Sequence, residues 1–266
     1  MTSSTAGAIV FVDYDGTLLT SRDELTDATR AALAHALAAG VRVVPASGRP
    51  LAGMHLQGCP LPGVAIALNG AVARRDLDDM PWETEHMATD DVRECVTIAR
   101  SLGQQVNLYT ADAWLADGPS HPRVLVERQR VGVRPAPMSE RLLPRVHKVL
   151  VLGAASDLDT CEARLRGAGA GARVHWLRTN PCYLEIGRAG VSKRTGLDVV
   201  RGWLGAARTY AIGDGLSDVP MFDRVDVAIA MGNAPAAVQS RAHVVVASTD
   251  EDGCADALER IVRGGL

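Results

Sequence analysis

The sequence is short of the features that mark several common protein classes. Its 266 residues include only five cysteines, Cys59, Cys95, Cys161, Cys182 and Cys254, odd in number and far apart. No C-x-x-C pair occurs, so neither a zinc ribbon nor a disulfide framework is indicated, and reduced thiols in a cytoplasmic protein fit best. The seven histidines are equally scattered, without an H-E-x-x-H or other ligand pair, and read as surface or packed residues. Net charge is −3 with no basic block, so nothing draws the chain towards nucleic acid or an anionic membrane. No uncharged stretch reaches the roughly eighteen residues of a membrane helix. Met1-Thr-Ser-Ser-Thr-Ala-Gly carries no positive charge, and the apolar run after it is broken by Asp13; no signal peptide is expected.

What is present is an ordinary globular composition, 47% apolar and 22% charged, and a chain long enough for a sizeable core in one or two domains. The stretch Ala8-Ile-Val-Phe-Val-Asp13-Tyr-Asp15-Gly16-Thr17 stands out. A continuous apolar run of β-branched and aromatic residues reads as a strand covered on both faces. The two carboxylates after it mark the strand's carboxyl end, where open α/β sheets place their ligands. One carboxylate can be a nucleophile and its neighbour a proton shuttle. In isolation the same residues fit a turn with solvated acids equally well.

Further along, Thr26 to Ala39 reads as a helix stopped by Gly40. Val41–Val44 is a second strand, running into Pro45-Ala-Ser47-Gly48-Arg49-Pro50 and then a helix from Leu51 to Leu56. That arrangement suits an anion site, or Ser47 as a plain helix cap. Val64–Leu68 is a third strand, closed by Asn69-Gly70. From about Met80 the texture changes: Trp82, Tyr109, Trp114, Trp176 and Tyr183 fall between there and residue 187. This part reads as an inserted α+β domain, with helices over 89–102 and 158–166 and strands over 104–109, 146–152, 173–177 and 183–186. Arg178 to Pro181 reads as a turn and the Gly167–Gly171 run as a surface loop. After it, βα alternation returns: helix 192–204, strand 209–212, then Gly213-Asp214-Gly215-Leu216-Ser217-Asp218, a short helix, strand 227–230, the turn Met231-Gly-Asn-Ala234, strand 244–246 and helix 254–262. Such alternation predicts a parallel sheet with right-handed crossovers.

Three strand ends thus carry Asp13/Asp15, Ser47 and Asp214/Asp218, and a helix start brings Lys193 to the same edge. Carboxylates collected at one edge repel unless a cation neutralises them, and an oxygen-only ligand set favours Mg²⁺ over Zn²⁺. With a lysine and a hydroxyl added, the edge can hold a phosphate.

In this ordered set the chain resembles the haloacid dehalogenase superfamily, and within it the Cof-like phosphatases of class IIB, which carry a large cap after the second motif. The matching residues are Asp13-Tyr-Asp15-Gly16-Thr17, Ser47, Lys193 and Gly213-Asp214-Gly-Leu-Ser-Asp218, with Leu68-Asn-Gly-Ala71, Met231-Gly-Asn-Ala234 and Glu251-Asp-Gly253 as further likenesses. Two positions depart from the pattern: Ser217 stands where Asn is usual, and Arg194 where Gly is common. The resemblance implies a Rossmannoid, doubly wound parallel α/β core (1–80 and 188–266) with an inserted α+β cap (81–187). It implies Mg²⁺-dependent hydrolysis of a small phosphate monoester, of a sugar, polyol or cofactor, through an aspartyl-phosphate. Asp13 would be the nucleophile and Asp15 the general acid and base. Asp13, Asp15, Asp214 and Asp218 would form the metal site, and Ser47, Gly48, Arg49, Asn69 and Lys193 would bind substrate. Arg123, Arg128, Arg178 and Asn180 are cap candidates for the leaving group, with surface or turn roles as the plainer reading. The expected partner is a small phosphate ester, with neither nucleic acid nor membrane, bound by a monomer or homodimer. A phosphomutase on the same fold and a non-catalytic phosphate sensor are the alternatives; Asp15 argues against a dehalogenase.

Overall fold

The computed structural model describes residues 7–54, 63–205 and 207–266. They divide into two compact units, a core unit within 1–48, 55–81 and 192–266 and an inserted unit of 49–54 and 82–191. The first part of the core contributes β1 (Ile9–Asp13), α1 (Asp27–Ala38), β2 (Arg42–Ala46), β3 (Ala65–Ala67) and β4 (Val72–Arg74). The inserted unit contributes β5 (Trp82–Glu83), α2 (Thr89–Ser101), β6 (Gln105–Tyr109), β7 (Trp114–Ala116), α3 (Pro122–Val131), β8 (Ala136–Pro137), β9 (Lys148–Leu152), α4 (Ala155–Gly167), β10 (Val174–Asn180) and β11 (Tyr183–Arg188). The chain then returns to the core with α5 (Lys193–Leu204), β12 (Thr209–Gly213), α6 (Val219–Phe222), β13 (Val227–Ala230), α7 (Ala236–Gln239), β14 (Val244–Val245) and α8 (Gly253–Val262).

In the core unit the strands run in the order β14-β13-β12-β1-β2-β3-β4, all parallel except β4, which forms a hairpin with β3. The chain therefore starts at the centre, winds outwards through β2 and β3, and later winds outwards on the other side through β12, β13 and β14. Because parallel crossovers are right-handed, reversing direction moves the crossover to the opposite face. Every residue of β1 and β12 is buried, which accounts for the unbroken apolar reading of those segments. On the flank, Thr26 caps α1 by accepting from the Thr29 N–H at 3.1 Å. At the other end of α1, His35 lies 2.8 Å from Glu259 of α8, which packs along it.

The inserted unit has its own sheet, β10-β11-β9-β6-β7-β8, antiparallel except between β7 and β8. Alternation shapes its core. Val149 and Val151 of β9, with Val106 and Leu108 of β6, meet Val92, Cys95 and Val96 of α2 and Leu158, Cys161 and Leu165 of α4. Burial pushes the Cys95 thiol up to about 12 and Cys161 to about 11, so both behave as small apolar residues. Cys95, Cys161, Cys182 and Cys254 are free thiols. The aromatics concentrated here are packing residues in part: Tyr109 and Trp114 stack with centroids 6.0 Å apart, and both are buried.

Several local expectations are corrected. A 3₁₀ turn, Leu51–Gly53, replaces the start of the expected 51–56 helix, whose remainder reaches beyond the described residues. Arg49–Met54 belongs with the inserted unit, because Arg49 Nη1 donates to the Arg130 carbonyl at 2.5 Å and Gly53 abuts Val131. The inserted unit also continues to residue 191. Arg178 to Asn180 lie in β10, and the turn falls two residues later, where Asn180 Oδ1 accepts the Cys182 N–H at 2.8 Å. Within the expected 167–171 loop a 3₁₀ turn buries Ala170. The hairpin strand β4, strand β7 and helix α3 carried no periodic signal strong enough to be expected.

Candidate active site

Register places the acids. On one side of β1, Asp13 pairs with Ala46 of β2; on the other, Val12 pairs with Ile212 of β12. Ser47 and Asp214 each lie just past those partners, so they flank Asp13 at the carboxyl ends of parallel strands, beside the point where the winding reverses. The loop after β1 is tight. Leu18 and Leu19 N–H groups donate back to the Asp13 and Tyr14 carbonyls at 3.3 and 2.9 Å, and the Gly16 N–H donates to the Leu19 carbonyl at 3.0 Å. Gly16 has φ +77°, and a Cβ there would collide with the Asp214 carboxylate. Glycine satisfies both demands at once.

Lys193, the first residue of α5, is enclosed although it is a lysine. Its Nζ donates to Asp13 Oδ1, and to Asp218 Oδ1 at 2.6 Å. Asp218 Oδ2 accepts the Asp214 and Gly215 N–H groups at 3.0 and 2.9 Å, closing the turn after β12. A Cβ on Gly213 would stand 2.5 Å from that carboxylate, so the turn admits no side chain there. Asp13, Asp214 and Asp218 present oxygens within 4.8 Å of one another.

The electrostatics follow from three acids sharing one base. Burial first, and then the Asp218 charge, push the Asp13 carboxyl well above the usual carboxylate range, with Lys193 offsetting part of this. The same two causes raise Asp214 to about 6. Burial works against the Lys193 ammonium, but Asp13 and Asp218 hold its pKa above the ordinary lysine value. The site thus carries more negative charge than its own lysine neutralises. An all-oxygen, electron-rich donor set of this kind fits a hard divalent cation.

The other expected residues are placed as follows. Asp15 sits half-buried on the loop and pairs through its backbone with Leu19. Ser47 is enclosed, and its carbonyl accepts the Asn69 N–H at 3.0 Å, so the Ser47 and Asn69 loops are tied together. Asn69 adopts a left-handed conformation, φ +53°. Gly48 follows Ser47 in the core unit, half-buried, whereas Arg49 lies in the inserted unit. Arg178 is committed to Asp159 at 2.9 Å and Glu162 at 3.4 Å, and Asn180 to its turn, so both serve structure. Arg194 pairs along α5 with Asp198 at 3.6 Å.

Sequence reasoning gave no role to three residues that hold the acids in place. Asn233 Nδ2 donates to the Gly16 carbonyl at 2.9 Å and to Asp214 Oδ2 at 3.1 Å, while its Oδ1 accepts the Thr249 N–H at 2.9 Å. Thr249 Oγ1 contacts the Thr17 and Leu19 carbonyls at 3.1 and 3.2 Å. Thr17 Oγ1 reaches Asp214 Oδ1 at 3.4 Å. Asn233 lay inside the quoted Met231-Gly-Asn-Ala234 turn and could have been singled out there; Thr249 carried no sequence signal.

Comparison with known proteins gives the family and the fold. The haloacid dehalogenase-like hydrolase family matches the chain over residues 10–258. A phosphoglycolate phosphatase of Pyrobaculum neutrophilum is 30% identical over 263 residues, covering 97% of this chain and 96% of its own. A pyridoxal phosphate phosphatase of Escherichia coli is 24% identical, with 93% and 96% covered. The crystal structure of a haloacid dehalogenase-like hydrolase from Bacteroides thetaiotaomicron superposes with a TM-score of 0.83 at 27% identity, covering 95% of this chain and 98% of that one. With its motifs in order on a doubly wound sheet and the family match spanning nearly its whole length, this chain is a member of the haloacid dehalogenase-like hydrolase family.

Proposed function

We propose that the protein is a Mg²⁺-dependent phosphatase acting on a small phosphate monoester. The observation that supports this most directly is the enclosed Asp13–Lys193–Asp218 chain with Asp214 beside it, at the carboxyl ends of β1 and β12. Relatives named as phosphatases of phosphoglycolate and pyridoxal phosphate support the same class of substrate.

Asp13 and Asp214, with the Asp15 carbonyl, would hold the ion. Both Asp218 oxygens are already engaged, by Lys193 and by two backbone N–H groups. Its part is therefore to anchor Lys193 and the turn that carries Asp214. Bound Mg²⁺ supplies positive charge against the phosphoryl oxygens. Asp13 attacks phosphorus, forming the Asp13 O–P bond as the ester P–O bond breaks, and Asp15 gives its proton to the departing alkoxide. Water then attacks phosphorus, Asp15 takes back a proton, and the Asp13 O–P bond breaks to release inorganic phosphate. Lys193 and Ser47 bind the phosphoryl oxygens throughout, which is the positioning and charge stabilisation that phosphoryl transfer requires.

The test is phosphate release from a panel of sugar, polyol and cofactor monoesters, with Mg²⁺ or EDTA, beside Asp13→Asn. Mg²⁺-dependent release that falls by about three orders of magnitude or more in the variant is expected. Release that persists in Asp13→Asn would remove Asp13 as the nucleophile.

A further inference from the structure

The inserted unit brings together a second set of ligand atoms that uses none of the core acids. Glu83 ends β5, His86 lies three residues on, ahead of α2, and His147 immediately precedes β9. Glu83 Oε2 stands 2.7 Å from His147 Nε2 and 3.2 Å from His86 Nε2, and the two imidazoles are 4.5 Å apart between centroids. The three ligand atoms lie within 4.8 Å of one another. Sequence spacing gave no ligand pair among the histidines, because Glu83 and His86 are close in sequence whereas His147, which the structure places beside them, is far along the chain.

Backbone contacts hold the three in place. The Met87 N–H donates to the Val146 carbonyl and the His147 N–H to the Tyr109 carbonyl, both at 2.9 Å, and Arg188 Nη1 reaches the His86 carbonyl at 3.3 Å. The His147 side chain is fully enclosed, and its Nδ1 has no hydrogen-bond partner among the described residues. The ring is anchored in the cluster through Nε2, which faces the Glu83 carboxylate. Glu83 and His86, by contrast, keep 28% and 38% of their side chains exposed, which leaves the cluster an open side.

We propose that Glu83, His86 and His147 form a binding site for a borderline divalent transition-metal ion, Zn²⁺ foremost, with the remaining position left to water. Two imidazole nitrogens and one carboxylate oxygen suit that class of ion, whereas Mg²⁺ selects oxygen ligands. Tetrahedral Zn²⁺ at bond lengths of about 2.0–2.2 Å spaces its ligand atoms about 3.4 Å apart, close to the 2.7 and 3.2 Å that separate Glu83 Oε2 from the two imidazole nitrogens. The bound ion would clamp the segment between β5 and α2 onto the start of β9.

Zn²⁺ is titrated into the full chain carrying Asp214→Asn, which weakens the core acids as a competing site, against a colorimetric chelator. One equivalent of bound Zn²⁺ with a raised Tm is expected, and Co²⁺ in its place should show the strong visible absorption of a four-coordinate, nitrogen-ligated ion. Adding His86→Gln, a partly exposed position, should weaken Zn²⁺ binding at least tenfold and abolish both the Tm rise and the Co²⁺ band, with the circular dichroism spectrum retained. No stoichiometric Zn²⁺ uptake, or uptake that His86→Gln leaves unchanged, would overturn the site.

Discussion

Lys193 and Asp218 form an ion pair at 2.6 Å with both side chains enclosed. Desolvation consumes most of what such a pair gains, so the arrangement is weak as a stabiliser and strong as a positioning device. It fixes the ammonium against Asp13 while the other Asp218 oxygen shapes the turn bearing Asp214.

Removing Asp218 should therefore damage both stability and chemistry. Asp218→Ala leaves the Asp214 and Gly215 N–H groups without their acceptor and Lys193 with a single counter-charge. A loss of about 3–5 kcal/mol, as for broken buried pairs, is expected in urea unfolding. Phosphate release by the remaining folded protein should fall as well, and a variant of wild-type stability and activity would refute the assignment.

Asn233 is a positioning residue. Asn233→Ala frees Asp214 Oδ2 and the Gly16 carbonyl, and should raise the Mg²⁺ concentration for half-maximal activity by about 10–100-fold, the usual scale for groups that orient metal ligands. Activity at saturating Mg²⁺ should recover in large part. A metal titration that overlays the wild type would show that Asn233 does not act through Asp214.

Gly16→Ala tests the left-handed turn. It combines an unfavourable positive φ with a collision against the Asp214 carboxylate. Destabilisation of more than about 1 kcal/mol, with loss of most Mg²⁺-dependent activity, is expected in thermal melts and phosphate-release assays.

The raised Asp214 carboxyl gives a pH signature in metal-free protein. Its folded value, about 6, lies above the ordinary 3.8, so between those limits the folded state holds a proton that the unfolded chain releases. Its contribution to stability grows as pH falls from 7 through 6, and is lost as pH rises. Buried His147 works in the opposite sense, since burial lowers its basicity, but it is common to the wild type and to Asp214→Asn. In EDTA, the Tm difference between wild type and variant should move in favour of the wild type on going from pH 7.5 to 5.5. Saturating Mg²⁺ should erase or reverse that trend, because the ion requires the ionised carboxylate.

Much of the core was legible because its strands are buried on both faces and end in polar residues. The runs before Asp13, Ser47 and Asp214 announce both a strand and its end. What holds the acids in place was not legible. Asn233 and Thr249 act through contacts to residues more than two hundred positions away in the Gly16 loop, and no local periodicity encodes such contacts. Arg49 follows Ser47 so directly that sequence assigned both to the core; the structure groups Arg49 with the inserted unit, where it donates to the Arg130 carbonyl. The Glu83–His147 pairing was hidden for the same reason, since the segment after β5 is tied to the start of β9 by a contact between distant residues, the Met87 N–H and the Val146 carbonyl.

The first strand's two neighbours differ greatly in how far away they lie along the chain. β2 follows at once, but Lys193 is 180 residues beyond Asp13, and β12 comes later still. During synthesis, the edge of β1 that will meet β12 must therefore wait while the whole inserted unit is made. That unit carries a hydrophobic core of its own, so it can fold in the interval and shorten the loop that remains to be closed. On this order of events Asp13 is made well before Lys193, Asp214 and Asp218, which can join it only after the inserted unit has been made. The cluster of acids and lysine would then assemble only after the chain has returned from the inserted unit to the core.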